Sequence, residues 1–166
     1  MKELLKVHID DFKTHFQGEV ILPDEAGYDE VRQIWNAMID RKPALIARCT
    51  SPDDVVQAIE FGRTQNLLIS IRGDGHNIAG NAVCDGGLMI DLSLMKRVEV
   101  DLATGRASVE PGCTLGDFDE VVQAYGLATP LGINSTTGVA GLTLGGGIGW
   151  LSRKYGMTID NLLSAE

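Results

Sequence analysis

The residues best suited to chemistry lie in one short stretch, whose sequence from residue 69 to residue 80 is ISIRGDGHNIAG. An apolar run ends at Arg72, two glycines flank Asp74, and His76 follows directly. Glycine permits positive φ angles and a close approach to a ligand, and successive backbone N–H groups in such a turn form an anion site. Arg72 can add a fork of donors. The stretch predicts a pyrophosphate cradle beside a reactive histidine; the alternative is a strand-end turn with a surface histidine.

A second glycine-rich run, from residue 132 to residue 149, reads GINSTTGVAGLTLGGGIG. Small residues and hydroxyls dominate it, so an ordinary amphipathic element is not expected. A flat ligand could lie against such a backbone while Ser135, Thr136 and Thr137 supply hydrogen bonds. The alternative is a long surface loop. The ligand interpretation is favoured, because a structureless loop of this length is uncommon in a compact domain unless it is functional.

The composition is that of an ordinary globular protein, with 166 residues, 44% apolar and 22% charged. A net charge of −9 argues against nucleic acid or an anionic membrane as a partner. The three cysteines are far apart with no C-x-x-C spacing, which indicates reduced, intracellular thiols rather than a disulfide frame or zinc site. No signal peptide or long apolar run is present, so a cytoplasmic location is expected.

The elements before the first glycine stretch are predicted as helix 2–16, extended segment 18–23, helix 28–38, strand 44–49, a helix from residue 51 and strand 67–71. The second helix has Val31, Ile34, Trp35 and Met38 on one face. In the third, Ser51 caps and Pro52 takes the first helical position, which explains the acidic pair 53–54 as structural. Its apolar face is predicted to be Val55, Ile59 and Gly62.

The elements after that stretch are a strand at 88–92, a hairpin of 97–101 and 106–110, a helix at 114–125, a short helix at 150–155 and a new strand from 159 to 163. The helix at 114–125 is predicted to be capped by Thr114 with Asp117 at its third position, and to bury Leu115, Phe118, Val122 and Tyr125.

Several familiar motifs are absent. Neither glycine run completes G-x-G-x-x-G, since Ile78 and Trp150 occupy the sixth positions, and no P-loop or H-E-x-x-H occurs. The three histidines form no metal-binding pattern, and His8 and His15 are expected on the surface of the first helix. The order of a glycine loop, a hairpin, a helix and a second glycine loop does not match a Rossmann fold or a Walker ATPase, and the histidines do not indicate a metal site.

Six motifs in order resemble those of berberine bridge enzyme-like oxidases, in the vanillyl-alcohol oxidase / para-cresol methylhydroxylase (PCMH) flavoprotein superfamily. The motifs are RGDGHNIAG (72–80), IDLSLM (90–95), PGCTLGD (111–117), GLATPLG (126–132), TGVAGLTLGGGIGWLSRKYG (137–156) and DNLL (160–163). Each motif is weak alone, but their order and spacing carry the resemblance, which covers roughly residues 20–166.

The resemblance implies an α+β, PCMH-type FAD-binding fold of two α/β subdomains with FAD between them. Residues 1–40 would form an N-terminal segment with helices, and residues 41–166 the FAD-binding domain. The first subdomain would extend to about residue 93 and the second would start at about residue 96. The substrate domain of the family is absent from this sequence, so the chain is interpreted as an N-terminal fragment without a catalytic base.

The resemblance also implies the cofactor contacts. His76 would bond covalently to the 8α-methyl group of the flavin. Asn134 occupies the position of a cysteine that forms a second flavin bond in some members, so a single covalent link is predicted. The cofactor-binding residues, drawn from both glycine runs and three short neighbouring motifs, would be Arg72, Gly73, Asp74, Gly75, His76, Asn77, Ile78, Pro111, Gly112, Thr136, Thr137, Gly138, Gly141, Leu142, Gly146, Gly147, Ile148, Gly149, Trp150, Asp160 and Asn161.

One position departs from the family, which usually has glycine where this chain has Asp74. Aspartate tolerates left-handed backbone geometry, so the turn can survive. Its charge beside a pyrophosphate is unfavourable unless the side chain faces solvent or pairs with Arg72. The departure bears on the affinity for FAD and on flavin attachment.

The leading functional interpretation is a flavin-dependent oxidase that transfers a hydride from a small-molecule C–H, of alcohol or amine type, to flavin N5, with reoxidation by oxygen. The alternative is a non-catalytic FAD-binding remnant or scaffold. A third interpretation is an α+β domain without flavin, with His76 an ordinary loop residue. An apolar face left without its partner domain also predicts a homodimer or low solubility.

Overall fold

The structure is a computed structural model that describes residues 6–166, with only the backbone of Lys6. The start of the predicted first helix, residues 2–5, lies outside the described residues. The chain divides into two compact units, Met1–Leu94 and Met95–Glu166. Each unit has its own hydrophobic core.

The first unit is built on a four-stranded sheet. Its elements are helix α1 (Lys6–His15), strand β1 (Glu19–Ile21), helix α2 (Tyr28–Val31), strand β2 (Leu45–Arg48), helix α3 (Pro52–Thr64), strand β3 (Ile69–Arg72) and strand β4 (Leu88–Asp91). The strand order is β1-β2-β4-β3, with β1 antiparallel to β2 and the other pairs parallel. Strands β2 and β4 carry continuous apolar runs that are fully buried, as is usual for central parallel strands.

Helix α3 begins as predicted but buries a different face. Ser51 Oγ accepts a hydrogen bond from the backbone N–H of Asp54 at 3.2 Å, and Pro52 is the first helical residue. The buried residues are Asp54, Ala58 and Gly62, whereas Ile59 is 42% exposed. Of the predicted face, Gly62 is buried, Val55 is half-buried and Ile59 is exposed, so the prediction is confirmed at Gly62 and wrong at Ile59. The helix lies close to the sheet at Gly62, where a Cβ would come within 2.7 Å of the Ile69 side chain.

The predicted helix at 28–38 is wrong beyond Val31, where α2 ends. Two sets of contacts accompany the end of the helix. Ile34 packs in the buried core of the first unit, and Arg32 pairs with the carboxylates of Asp29 and Asp40. Trp35 donates its backbone N–H to a carbonyl outside the segment and is 63% exposed, so the predicted apolar face does not form.

The second unit holds the hairpin and the short helices. Its elements are strands β5 (Val98–Asp101) and β6 (Arg106–Val109), helix α4 (Leu115–Gln123), helix α5 (Val139–Leu144), helix α6 (Ser152–Tyr155) and a 3-10 turn (Ile159–Asn161). The predicted capping box is confirmed, since Thr114 and Asp117 exchange side-chain-to-backbone hydrogen bonds. Because α4 ends at Gln123, Tyr125 lies outside it and is 53% exposed, contrary to the prediction.

The predicted strand at 159–163 is also wrong. Asp160 Oδ2 accepts from the backbone N–H of Met157 at 2.8 Å, and Asn161 Nδ2 donates to the carbonyls of Tyr155 and Met157. Such local side-chain hydrogen bonds favour a turn over an extended strand.

The glycines of the second glycine-rich run serve the packing of this unit as well as its backbone shape. A Cβ on Gly149 would lie 1.6 Å from the carbonyl oxygen of Leu131, and one on Gly147 would lie 2.2 Å from Thr158 Oγ1. A Cβ on Gly141, in α5, would meet nothing within 4 Å. The run thus contains glycines that close packing requires and one that it does not.

The three cysteines are free thiols, as predicted, and the structure places all three in buried positions. Burial, with smaller contributions from Asp54 and Asp91, raises the pKa of the Cys49 thiol to about 12, which disfavours its reactive thiolate. No group of potential metal ligands occurs among residues 6–166. In the same range, none of the helices has both the length and the apolar character needed to cross a membrane.

We expect Asp54→Asn to destabilise the chain at neutral pH. Burial raises the pKa of Asp54, but hydrogen bonds from Thr50 and Gln17 outweigh it, so that the pKa lies below the ordinary 3.8. The carboxylate therefore contributes stability above the ordinary pKa that disappears as the pH falls through the lower folded value. Urea unfolding should show a loss of about 1–3 kcal/mol at pH 7 that shrinks below pH 4.

Asp53→Asn is the matched control, since this neighbour is exposed and should cost less than about 1 kcal/mol. Equal losses in the two variants would contradict the assignment.

Two glycine-to-alanine variants should have opposite effects on thermal unfolding of the flavin-free chain. Gly149→Ala places a methyl group against the backbone carbonyl of Leu131 and should destabilise by about 3 kcal/mol or more. Gly141→Ala adds a methyl group in open space on a helix and should stabilise by about 0.5–1 kcal/mol. Similar shifts of Tm in both variants would show that packing does not distinguish the two positions.

Candidate functional site

The first glycine stretch, residues 73–80, is called the glycine loop below, and it follows the carboxyl end of strand β3. That strand runs parallel to β4, with Arg72 in register with Asp91. In open parallel sheets, ligands bind outside the carboxyl ends of the strands. The topology therefore puts the glycine loop at the edge of the sheet where a ligand is expected.

The backbone of the loop is left-handed at two glycines, Gly75 (φ 79°) and Gly80 (φ 74°). The prediction of positive φ is thus confirmed at Gly75 and wrong at Gly73. Among the described residues, Asn66 is the one non-glycine residue with positive φ, so Asp74 does not need the left-handed geometry expected for it. The replacement of glycine by Asp74 therefore imposes no backbone strain on the turn.

The loop is held by a neighbouring part of the same unit, residues 31–41, called the bracing segment below. In three of the contacts, the bracing segment donates an N–H to a backbone carbonyl of the loop. In the fourth, Arg72, which directly precedes the loop, donates to a backbone carbonyl of the segment. The contacts are Trp35 N to Gly75 O (3.2 Å), Asn36 Nδ2 to Ile78 O (2.9 Å), Arg41 Nη1 to Gly80 O (2.7 Å) and Arg72 Nη1 to Val31 O. The shape of the loop is therefore fixed along most of its length.

His76 lies between a carboxylate and an aromatic ring. Its Nε2 atom is 3.1 Å from Asp74 Oδ2, and the imidazole stacks on the indole of Trp35 with centroids 4.6 Å apart and 15° between the planes. The His76 side chain is 19% exposed. The sequence indicated that the charge of Asp74 is unfavourable beside a pyrophosphate unless the side chain faces solvent or pairs with Arg72; in the structure the side chain is 27% exposed and contacts His76.

Trp35 is the site residue that the sequence did not reveal. Its spacing from Val31 and Met38 predicted a helix face directed at the core, whereas the structure turns it outward onto His76. The local sequence does not reveal such an exposed tryptophan, because the same spacing of apolar residues occurs in a continuous helix and in a segment whose helix ends early.

A buried hydrogen-bond donor without a partner lies at the start of the loop. Arg72 Nε is buried and has no partner among residues 6–166. In the same range, no backbone carbonyl accepts from the N–H groups of Gly75, Asn77 and Ile78. Since buried donors are normally satisfied, the Nε of Arg72 fits an anionic ligand such as a pyrophosphate.

In the second unit, the predicted site residues come together through backbone hydrogen bonds. Thr137 O accepts from Leu115 N at 2.8 Å, and Cys113 O accepts from Val139 N at 2.9 Å, so the chain after Gly112 lies beside the start of α5. Further along, Gly147 O accepts from Thr158 N at 2.9 Å. These contacts join sequence-distant motifs into one set of adjoining loops.

Some polar side chains in these loops already have local partners. Asn134 Oδ1 accepts from the backbone N–H and the hydroxyl of Thr136, at 3.2 and 3.1 Å. Asp160 and Asn161 hold the turn described above. Leu142 lies against the core of the unit.

The predicted site residues differ in their exposure to a ligand. The buried ones are Gly75, Gly112 and Gly138. The half-buried ones are Arg72, Gly73, Asp74, His76, Pro111, Thr137, Leu142, Gly146, Gly147 and Gly149. The exposed ones are Asn77, Ile78, Thr136, Gly141, Ile148, Trp150, Asp160 and Asn161. Ile148 and Trp150 are 72% and 86% exposed, which is unusual for such large apolar side chains.

Comparison with known proteins identifies relatives along most of the chain. Residues 43–166 match the family described as FAD binding domain. The chain is 42% identical over 149 residues to (R)-6-hydroxynicotine oxidase of Paenarthrobacter nicotinovorans, which covers 90% of this chain and 32% of that protein.

Two solved structures have the same fold. BBE-like 1 of Physcomitrella patens matches with a TM-score of 0.88 and 27% identity, over 93% of this chain and 34% of that one. Xylooligosaccharide oxidase of Myceliophthora thermophila matches with a TM-score of 0.84 and 26% identity, over 92% and 33%. The chain thus spans about a third of the length of these relatives. It belongs to the FAD binding domain family and has the PCMH-type fold that its berberine bridge enzyme-like relatives share.

Proposed function

We propose that this chain is the FAD-binding part of a flavin-dependent oxidase in which His76 carries the cofactor covalently. The observation that supports the proposal best is the buried, unpaired Nε of Arg72 at the carboxyl end of a parallel strand, directly before the glycine loop that carries His76. Membership in the FAD binding domain family identifies the anionic ligand that these donors would meet.

In this proposal the glycine loop binds the FAD pyrophosphate. The N–H groups of Gly75, Asn77 and Ile78 and the unpaired Nε of Arg72 supply the donors. The loops of the second unit would contact the rest of the cofactor through backbone and through the exposed side chains of Ile148 and Trp150. Asp160 and Asn161 would act mainly by shaping their turn, since their side chains are used locally.

Bound FAD would accept a hydride at N5 from a substrate C–H and pass the electrons to oxygen. The printed names of relatives, a hydroxynicotine oxidase and a xylooligosaccharide oxidase, are compatible with amine-type or alcohol-type substrates. The base that takes the substrate proton would come from the part of the parent protein outside this chain. The residues of this chain would bind, orient and shield the cofactor.

The alternative is a remnant that binds FAD but turns nothing over. Substrate-driven bleaching of the flavin separates the two, because a scaffold keeps its oxidised spectrum in the presence of any substrate. Family membership favours both of these interpretations over a domain that binds no flavin.

The proposal extends to a cytoplasmic location and a homodimer. Three free, buried thiols support a reducing compartment. Large exposed apolar side chains in the second unit, including Leu144, Ile148 and Trp150, support association. A monodisperse monomer in light scattering would contradict the dimer.

The covalent link is tested by intact mass after acid denaturation. The purified chain, incubated with FAD, should gain the mass of one FAD and stay yellow when unfolded. His76→Ala should lose the increment, because no nucleophile remains at that position, whereas Asn134→Ala should keep it. A colour that is lost on denaturation in the wild type would leave FAD binding intact and exclude the covalent bond.

The bracing segment should matter for non-covalent FAD affinity. Arg41→Ala removes the hydrogen bonds from Arg41 to the carbonyls of Gly80 and Val83 and should weaken FAD binding by about tenfold, since the loop must then be ordered on binding. Titration in the His76→Ala background measures binding alone. The control is Arg63→Ala, an exposed arginine in the last turn of α3; equal affinities in the two variants would count against the bracing role.

A further inference from the structure

Three large apolar side chains in the glycine loop and the bracing segment are exposed to an unusual degree. Trp35 is 63%, Met38 91% and Ile78 82% exposed. We propose that these three residues form an apolar contact surface for the dimethylbenzene ring of the flavin, so that the first unit recognises this end of the cofactor without the covalent bond. The inference deepens the proposed function and rests on it, since it takes FAD as the ligand.

The three side chains belong to two stretches that hydrogen bonds hold side by side. Trp35 donates its backbone N–H to Gly75 O at 3.2 Å, and Asn36 Nδ2 donates to Ile78 O at 2.9 Å. Asn36 Oδ1 also accepts from the backbone N–H of Met38 at 3.2 Å. The side-chain amide of Asn36 therefore fixes the backbone at Met38 and at Ile78, and the apolar surface is preorganised in the chain itself.

The indole of Trp35 gives this surface an aromatic part. The His76 imidazole stacks on the indole with ring centroids 4.6 Å apart and 15° between the planes. Trp35 remains 63% exposed in this arrangement, so the imidazole covers only part of it. An open indole beside a half-buried histidine can make an offset-stacked or edge contact with a further ring. The surface is therefore suited to a planar aromatic ligand.

The polarity of the surface selects one end of the flavin. The dimethylbenzene ring carries methyl groups and no hydrogen-bonding atom, whereas the pyrimidine ring carries carbonyls and an N–H that are costly to cover without partners. The side chains of Met38 and Ile78 donate no hydrogen bonds, so they can cover only the dimethylbenzene ring without this cost. The attachment proposed at His76 involves a methyl group of the same ring, and thus both arguments place the same end of the flavin here.

The first experiment compares the affinities of the flavin-free chain for two ligands. One is an FAD analogue without the 8-methyl group, which cannot form the covalent bond and reports reversible binding with His76 in place. The other is ADP, which shares adenosine and pyrophosphate with FAD but has no flavin ring. Trp35→Ala should weaken binding of the analogue by about tenfold and Met38→Ala by about threefold, because apolar contact area is lost. ADP should bind both variants as it binds the wild type.

The control variants separate the indole from the backbone that carries it. Trp35→Ala keeps the backbone N–H that Gly75 O accepts, so the loop retains this hydrogen bond. Trp35→Phe retains an aromatic ring and should recover part of the affinity for the analogue. Val56→Ala removes an exposed apolar side chain on α3 and should change neither affinity. Equal weakening of ADP and the analogue in Trp35→Ala, or no weakening of either, would overturn the inference.

The second experiment detects the contact itself. In the complex with the analogue, NMR should show nuclear Overhauser effects between the remaining ring methyl group and the indole protons of Trp35. The sequence contains two tryptophans, so Trp150→Phe assigns the indole signals. The absence of these effects in a saturated complex would overturn the inference. A dimer of the flavin-free chain that Trp35→Ala dissociates would assign the surface to a second copy and overturn it as well.

Failure of the proposed function gives a different result from failure of this inference. A wild-type chain that binds neither FAD nor ADP would refute the proposed function and the inference with it. A chain that binds FAD and the analogue, but with the same affinity for the analogue in Trp35→Ala, would refute the inference alone.

Discussion

The glycine loop depends on hydrogen bonds from the bracing segment to its backbone carbonyls. A glycine-rich loop loses much conformational entropy when it is ordered, so a loop that waits for its ligand binds weakly. Donors from Trp35, Asn36 and Arg41 order the loop within the protein itself. They engage carbonyls and leave the N–H groups of Gly75, Asn77 and Ile78 without a backbone acceptor among the described residues, which gives the loop the polarity that an anion requires.

The bracing segment is itself anchored by the sheet. Ile34 packs in the same buried cluster as Ile46 of β2 and Met89 of β4. Arg32 forms ion pairs with Asp29 and Asp40, which link the two ends of the segment. The buried parallel strands thus position the loop twice, through β3 that leads into it and through the core that holds the segment beside it. This arrangement explains why the helix predicted at 28–38 ends at Val31.

Asp74 is compatible with the loop for two physical reasons. Its backbone is not in the left-handed region, so a side chain costs nothing there. Its carboxylate lies 3.1 Å from His76 Nε2, so its charge acts on the imidazole. A position that is usually glycine in the family therefore becomes part of the environment of the reactive histidine in this chain.

The sequence by itself determined the features that depend on local chemistry. The caps at Ser51 and Thr114, the β5–β6 hairpin and the buried parallel strands follow from turn residues, hydrogen-bonding side chains and apolar runs that act within a few residues. The order of the motifs also sufficed to identify the FAD binding domain family. These features depend on neighbouring residues or on the order of motifs along the chain, so they can be predicted without knowledge of the tertiary contacts.

Tertiary structure alone decided where helix α2 ends, which face of α3 is buried, and what surrounds His76. Trp35 and His76 are 41 positions apart in the printed sequence, and nothing in either neighbourhood encodes their stacking. Tertiary structure also decided which glycines packing requires. A side chain at Gly149 would collide with the carbonyl of Leu131, whereas one at Gly141 would meet no other atom within 4 Å. Each of these features depends on atoms that only the packed chain brings together.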